Sequence, residues 1–324
     1  MTHLKNTLPW NYLNPLRTRI VNFFRPDGIA DGILAVTWEA LSFVQLLKRM
    51  YLTNQGNLRL LSTEDLIGAM ELSRLAGWNQ TQDDWEVMLR LDPPGCFAIE
   101  ADGLIAATTT LLCYGNRLAW IGMVLTRPEY RRRGFAQRLM ETALKRAADL
   151  KIESIKLDAT PQGQPLYEKL GFKTEQIVER WFHDGKRPDP HFEPLTSSPQ
   201  YSSEMDLIAF GADRSTLLQN LTSRNSPNTI AEAFCFSRAG TRARYLGPCV
   251  AQTQKAARLV IEHTLRTPSE SGWFWDLLSA NKNAVQLVEE LGFAPQRRLE
   301  RMVLGNSLST NDEMVYAIAG FELG

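Results

Sequence analysis

The tripeptide Leu170-Gly171-Phe172 returns as Leu291-Gly292-Phe293, and a Glu-Arg pair follows each copy, in Glu179-Arg180-Trp181 and Glu300-Arg301-Met302. Both matches are separated by 121 residues (170 to 291, 179 to 300). Upstream, Ile155-Lys156-Leu157-Asp158 parallels Phe274-Trp275-Asp276 with a slightly longer connection. Motifs repeated in the same order and at the same spacing imply one supersecondary unit built twice. A chain of 324 residues has room for two such units, each large enough to bury a core.

Local signals fill in the unit. Leu58-Arg59-Leu60 reads as a short strand; Ser62 or Thr63 then caps a helix to about Leu75, with Glu64 and Asp65 in its first turn. A second helix spans Gln82 to Leu91 and stops at Asp92-Pro93-Pro94-Gly95. Strands Cys96–Glu100 and Leu104–Leu112 flank the turn pair Asp102-Gly103, and Leu118–Thr126 makes a third. Ala136, Leu139, Met140, Ala143, Leu144 and Ala147 then recur at helical spacing up to about Leu150. A strand at Ile155–Ala159, a short helix at Pro165–Leu170 and an extended run to Trp181 complete the first copy. Asp184 to Ser203, with four prolines and no periodicity, reads as a linker. The second copy offers a helix over Asp213–Leu221, strands on either side of Ala239-Gly240, a helix over Gln252–Leu265, a strand at Trp273–Leu278 and a helix at Lys282–Glu290.

Composition mainly excludes. A formal net charge of +0 gives no bulk attraction to nucleic acid or an anionic membrane. Cys96, Cys113, Cys235 and Cys249 are scattered and unclustered with histidine, so they predict free thiols in a reducing cytoplasm and no metal site. Met1–Arg25 lacks the apolar run and small-residue cleavage site of a secretory signal. Gly32–Leu47 is short for a membrane span and contains Glu39 and Gln45, which favours an amphipathic helix or a loosely attached extension.

The chemistry concentrates after the strand ending at Thr126. Arg131-Arg132-Arg133-Gly134-Phe135-Ala136 opens the long helix, and a glycine at that turn lets backbone N–H groups converge on phosphate oxygens at the helix's positive end. Without a following Gly-Lys-Ser/Thr it is no nucleotide P-loop, and without three glycines no dinucleotide fingerprint. Taken alone, a basic helix start on a solvated face explains it equally well. The set Val124-Leu125-Thr126-Arg127-Pro128, the arginine loop and Leu166-Tyr167-Glu168-Lys169-Leu170-Gly171-Phe172, in that order, resembles the GNAT superfamily of acyl-CoA-dependent N-acetyltransferases. Trp78-Asn79-Gln80-Thr81, Trp120-Ile121-Gly122-Met123-Val124 and Asp158-Ala159-Thr160-Pro161 look like a bacterial subgroup whose N-terminal acetyltransferase domain is fused to a second GNAT-like domain, for which Phe210–Ser215 and Tyr245-Leu246-Gly247-Pro248 are a match.

The resemblance implies an α/β fold of tandem GNAT-like domains, each a mixed, curved sheet with helices on both faces. The expected layout is an N-terminal extension of unknown role (1–56), a catalytic domain (57–183), a linker (184–205) and a degenerate second domain (206–324). It implies acetyl-CoA as cosubstrate and no metal, with the amides of Val124, Leu125 and Thr126 holding pantetheine, Val124 polarising the thioester carbonyl, and Arg131, Arg132, Arg133, Gly134, Phe135 and Ala136 cradling the pyrophosphate. Tyr167 takes the general-acid position, against the plainer reading of a packed aromatic with a satisfied hydroxyl. Where the family often has Asn-x-x-Ala, Pro161-Gln162-Gly163-Gln164-Pro165 stands instead. Glu100, Asp158 and His183 are base types without a decisive context. The second copy has Gln252-Thr253-Gln254-Lys255-Ala256-Ala257 in place of the loop and Val288 in place of Tyr167, and Val288 has no proton to donate. Trp273, Phe274 and Trp275 could line a pocket there, although such rings more often build core. The expected reaction is acetyl transfer to a small-molecule or peptide amine, in the cytoplasm, with oligomeric state open. The alternative is a non-catalytic acyl-CoA sensor or partner-binding module.

Overall fold

The computed structural model describes residues 56–185 and 201–324. The extension, with Gly32–Leu47, and most of the proline-bearing stretch after Asp184 lie outside the described residues. Twelve strands form one mixed sheet. The first copy contributes β1 (Asn57–Leu60), β2 (Cys96–Ala101), β3 (Leu104–Tyr114), β4 (Leu118–Thr126), β5 (Ser154–Ala159) and β6 (Lys173–His183). The second contributes β7 (Asn228–Ile230), β8 (Ala233–Arg238), β9 (Arg244–Ala251), β10 (Trp273–Leu278), β11 (Ala294–Gly305) and β12 (Val315–Ala317). Helices are α1 (Leu66–Leu75), α2 (Gln82–Leu91), α3 (Phe135–Asp149), α4 (Gln164–Lys169), α5 (Ser203–Phe210), α6 (Ser215–Thr222), α7 (Gln254–Thr264) and α8 (Lys282–Glu290).

Caps and breakers set the boundaries where the sequence marks them. The Thr81 hydroxyl accepts from the Asp84 N–H while the Asp84 carboxylate accepts from the Thr81 N–H, a reciprocal cap that contributes about 1 kcal/mol at the start of α2. Thr253 and Asn281 cap α7 and α8 through the N–H groups of Ala256 and Ala284. Two expectations shift. The first helix begins as a 3-10 turn, Thr63–Asp65, before α1. The stretch expected as linker ends in a helix start: Ser202 caps α5, whose Met205, Ala209 and Phe210 are buried. The polar residues Ser202 to Glu204 hid that helix from a reading based on apolar periodicity.

The strand order is β1-β2-β3-β4-β5-β11-β6-β10-β9-β8-β7, so the two copies exchange their last long strands. β11 of the second copy lies between β5 and β6, antiparallel to both, and β6 of the first copy pairs with β10. The repeated motif locks this exchange. Arg180 of the first copy makes a bidentate pair with Asp276 of the second, at 2.7 and 2.6 Å. Arg301 of the second copy makes the matching pair with Asp158 of the first, both bonds 2.9 Å. Three large apolar cores follow, with a small fourth at Ala243, Tyr245 and Phe274. One, beneath α1, α2, α5 and α6, draws on both copies, and each copy has its own on the other face, under α3 and α4 or under α7 and α8. Trp273, Phe274 and Trp275 are all buried in the second copy, as core.

Candidate functional site

The site grows from a break between two strands. β4 and β5 run parallel but pair over only three residues, Leu118–Trp120 against Ser154–Lys156. Beyond them β4 keeps β3 as its partner and β5 keeps β11, so a wedge opens toward the C-terminal ends of both strands. The Asp158 side chain is fully buried although the residue as a whole is only half-buried, so the exposed part is its main chain beside the wedge. Asp158's pKa is raised by burial, against which Arg301 pulls it down.

A bulge in β4 directs the wedge. The β3–β4 register slips between Thr108 and Thr110, and Met123 adopts φ 49°, a conformation that strains a side-chain-bearing residue. Two β3 hydroxyls hold it: Thr108 Oγ1 donates to the Met123 carbonyl at 2.9 Å and Thr109 Oγ1 to the Gly122 carbonyl at 3.3 Å. In the sequence these threonines stand out only as three in a row, Thr108-Thr109-Thr110, on one strand. Side chains of Val124 and Leu125 enter the cores on opposite faces of the sheet, so what they offer a ligand is main chain.

The loop from Thr126 to α3 is anchored by Tyr130, which donates to Asp102 Oδ2 at 2.8 Å, stacks on Phe135 and carries the Arg133 guanidinium 4.8 Å above its ring. Gly134 is the N-cap of α3, at φ 79°, and no side chain caps the helix. Its first-turn N–H groups, which have no intrahelical acceptor by geometry, are therefore unclaimed at the helix's positive end. A Cβ added at Gly134 would meet nothing within 4 Å. Arg131, Arg132 and Arg133 are exposed, and Arg132 is itself at φ 61°. Phe135 is buried and Ala136 half-buried, so both present amides rather than side chains.

Tyr167, on α4, packs edge-on against Phe172 in the same core as Phe135 and the flank of Val124. Among the described residues its hydroxyl has no hydrogen-bond partner, and burial alone pushes its pKa up. Gly163 passes so close that any side chain there would strike the Tyr167 ring. The fold thus gathers the Val124 strand, the arginine loop and Tyr167 around one side of the wedge. Three other residues singled out in the sequence have partners of their own. Glu100 accepts from Arg59 at 3.0 Å, Asp158 is taken by Arg301, and His183 Nδ1 accepts from the Gly185 N–H at the far end of β6. A cavity of about 400 Å³, counting its open mouth, lies at the paired end of β4 and β5, lined by Leu118, Trp120, Lys156, Gln176, Arg214 and Asp312; it is not where these residues meet. No group of three potential metal ligands occurs among the described residues, nor a helix long and apolar enough to cross a membrane.

Comparison with known proteins bears on the same two regions. Residues 62–172 match the family described as Acetyltransferase (GNAT) family, and residues 203–317 match the Acetyltransferase (GNAT) domain. The chain belongs to the GNAT acetyltransferases. It is 31% identical over 185 residues to the uncharacterized N-acetyltransferase YitH of Bacillus subtilis (strain 168). That match takes in 53% of this chain and spans 62% of the relative's length. A putative acetyltransferase from Pyrococcus horikoshii shares the fold, with a TM-score of 0.75 at 22% identity over 83% of this chain and 96% of that one. A tandem GNAT protein from the clavulanic acid biosynthesis pathway superposes at a TM-score of 0.52 and 15% identity, over 78% of this chain and 99% of that one. Two GNAT domains in one chain place this protein in a family that uses acyl-CoA for acyl transfer.

Proposed function

We propose that the first copy is an N-acetyltransferase that moves the acetyl group of acetyl-CoA to a primary amine by direct attack, with one active site per chain. The observation that carries this is the wedge between β4 and β5, with unpaired main chain on one strand and an uncapped helix N-terminus at its end. The amides of Arg132 to Ala136 suit pyrophosphate oxygens, which the exposed arginines reinforce. The open edge of β4 from Val124 to Thr126 suits pantetheine, and the Val124 N–H is the donor assigned to the thioester oxygen as negative charge develops there. The neutral amine attacks the carbonyl carbon, the C–S bond breaks, and Tyr167 protonates the departing thiolate. Its hydroxyl, which no other described group claims, supports that role, and as a phenol it carries its proton through neutral pH. The amine's own proton leaves to solvent and solvent returns one to the Tyr167 phenolate, since Glu100, Asp158 and His183 are each engaged elsewhere. The amine acceptor is a small molecule or peptide.

Calorimetry tests the cofactor half: acetyl-CoA binds once per chain in roughly the micromolar range. Absence of binding to the purified chain overturns the proposal. Thiol release across an amine panel tests the chemistry, and acetyl-CoA binding without turnover of any amine would favour a non-catalytic acyl-CoA sensor.

A further inference from the structure

β11 overhangs the mouth of the first-copy wedge. Glu300 pairs with Ala159, the last residue of β5, so the strand from Arg298 back to Ala294 continues past the end of β5 with β6 as its neighbour. Arg297 stands opposite Arg180 in that ladder. Arg180 is fully answered: Asp276 holds it bidentately, and its guanidinium lies 4.7 Å from the rings of both Phe274 and Phe321. Arg297 is half-buried, and among the described residues no carboxylate or carbonyl pairs with it. Its charged neighbours are Arg180, Arg242 and the already engaged Asp276. Arg242 is exposed and donates to the Gly77 carbonyl at 2.7 Å. Burial first, then Arg180, lowers the Arg297 pKa.

A half-buried guanidinium whose charged neighbours are other arginines and an engaged carboxylate gains more than an exposed one from an anion brought to it. Its planar fork suits a carboxylate in particular. With Arg242 exposed and already donating to the Gly77 carbonyl, the one half-buried fork left free accommodates a single carboxylate. We infer that Arg297 anchors a carboxylate on the acceptor, so that the substrates are amines that also carry a carboxylate, as amino acids do. This rests on reading the wedge as the acetyl-transfer site. Arg297 lies three residues beyond Glu300, about 10 Å along the strand. That gap is bridged by the arginine side chain and an acceptor of amino-acid size together. The charge belongs to the second copy, which thereby supplies acceptor specificity to the first.

The test compares L-α-amino acids with their carboxamides, amine for amine, by thiol release from acetyl-CoA and by calorimetric binding to the CoA-loaded full-length protein. The acids are favoured by about tenfold or more in kcat/KM, the equivalent of one charge-assisted hydrogen-bonded pair. In R297Q the KM for acids rises by a similar factor while amide turnover, acetyl-CoA affinity and melting temperature hold; R297K keeps part of the preference. Equal turnover and binding of acid and amide by the unmodified protein overturns the inference, whatever the variants do, and so does an equal loss for both in R297Q. Loss of acetyl-CoA binding would instead count against the acetyl-transfer reading itself.

Discussion

The two copies part their central parallel strands in the same way and then treat the gap in opposite ways. In the second copy β9 and β10 also pair over three residues, Arg244–Leu246 against Trp273–Trp275. There β12 enters the gap: Val315 and Ala317 pair with Val250 and Cys249 of β9, and the Tyr316 carbonyl accepts from Trp275 Nε1 at 2.7 Å. Asn281 secures the insert through the carbonyls of Asp312, Glu313 and Val315, and the Ile318 N–H donates to the Asp276 carbonyl at 3.0 Å. The helix that follows is capped by Thr253 where α3 has bare Gly134, and Val288, fully buried, stands where α4 has Tyr167. Open strand edge, free helix amides and a proton donor are thus all present in one copy and all replaced in the other. On the proposal of one cofactor site per chain, the second GNAT scaffold satisfies with its own chain the backbone groups that the first leaves for a ligand, as buried polar groups require.

The sharpest way to break this contrast is to disable one loop. In the first copy Gly134→Asp puts a carboxylate into the space left for phosphate, and it should weaken acetyl-CoA binding at least about 100-fold by calorimetry. In the second copy Thr253→Gly removes the cap at the equivalent helix start and should leave affinity and stoichiometry unchanged. A second binding event, or a loss of affinity in the second-copy variant, would end the claim of one site per chain.

The same division predicts the kinetics of Tyr167→Phe. Thiol release should fall by roughly 10²-fold or more, the ordinary contribution of a positioned acid, with acetyl-CoA affinity nearly intact. Burial raises the pKa of this phenol, so any alkaline fall in kcat from its ionisation lies above the usual tyrosine range. Val288→Tyr in the second copy should restore nothing, because β12 occupies the gap it would serve.

Where the copies are equivalent, their mutants should be too. Asp158→Asn and Asp276→Asn each leave a buried arginine without its carboxylate. By urea titration each should lose about 3–5 kcal/mol, and similar losses would support a symmetrical lock on the strand exchange. A loss confined to one variant would mean that only one exchanged strand is held by its ion pair.

How far the sequence reached follows the same line between local and distant. β2 to β5, α2 and α3 were legible because Thr81, Asp92-Pro93-Pro94, Asp102-Gly103 and Gly134 act within a few residues of the boundary they set. The arginine loop was legible for the same reason. The 121-residue repeat disclosed two units, and its most visible residues, Arg180 and Arg301, proved to be the pair that ties the copies together. That the last strands trade places was not readable, since two similar units present similar strand edges and either pairing satisfies local propensity. β12, three residues long, carries no pattern of its own and takes its meaning only from the gap it fills. Arg297 is not legible in the sequence, because a lone arginine on a strand says nothing until its neighbours are known.

The bulge in β4 offers the smallest test and the most specific. Thr108→Val removes the hydrogen bond to the Met123 carbonyl, which should cost about 1 kcal/mol of stability. The strained φ of Met123 is held from β3, so freeing it lets β4 settle back toward regular pairing. The open edge at Val124 would then lie slightly out of line with the thioester it is proposed to polarise. kcat should fall a few-fold, more than affinity for acetyl-CoA, because pantetheine and pyrophosphate contacts along the rest of the wedge are untouched. An equal fall in both would place the bulge in cofactor binding, and no fall in either would make it a feature of packing alone.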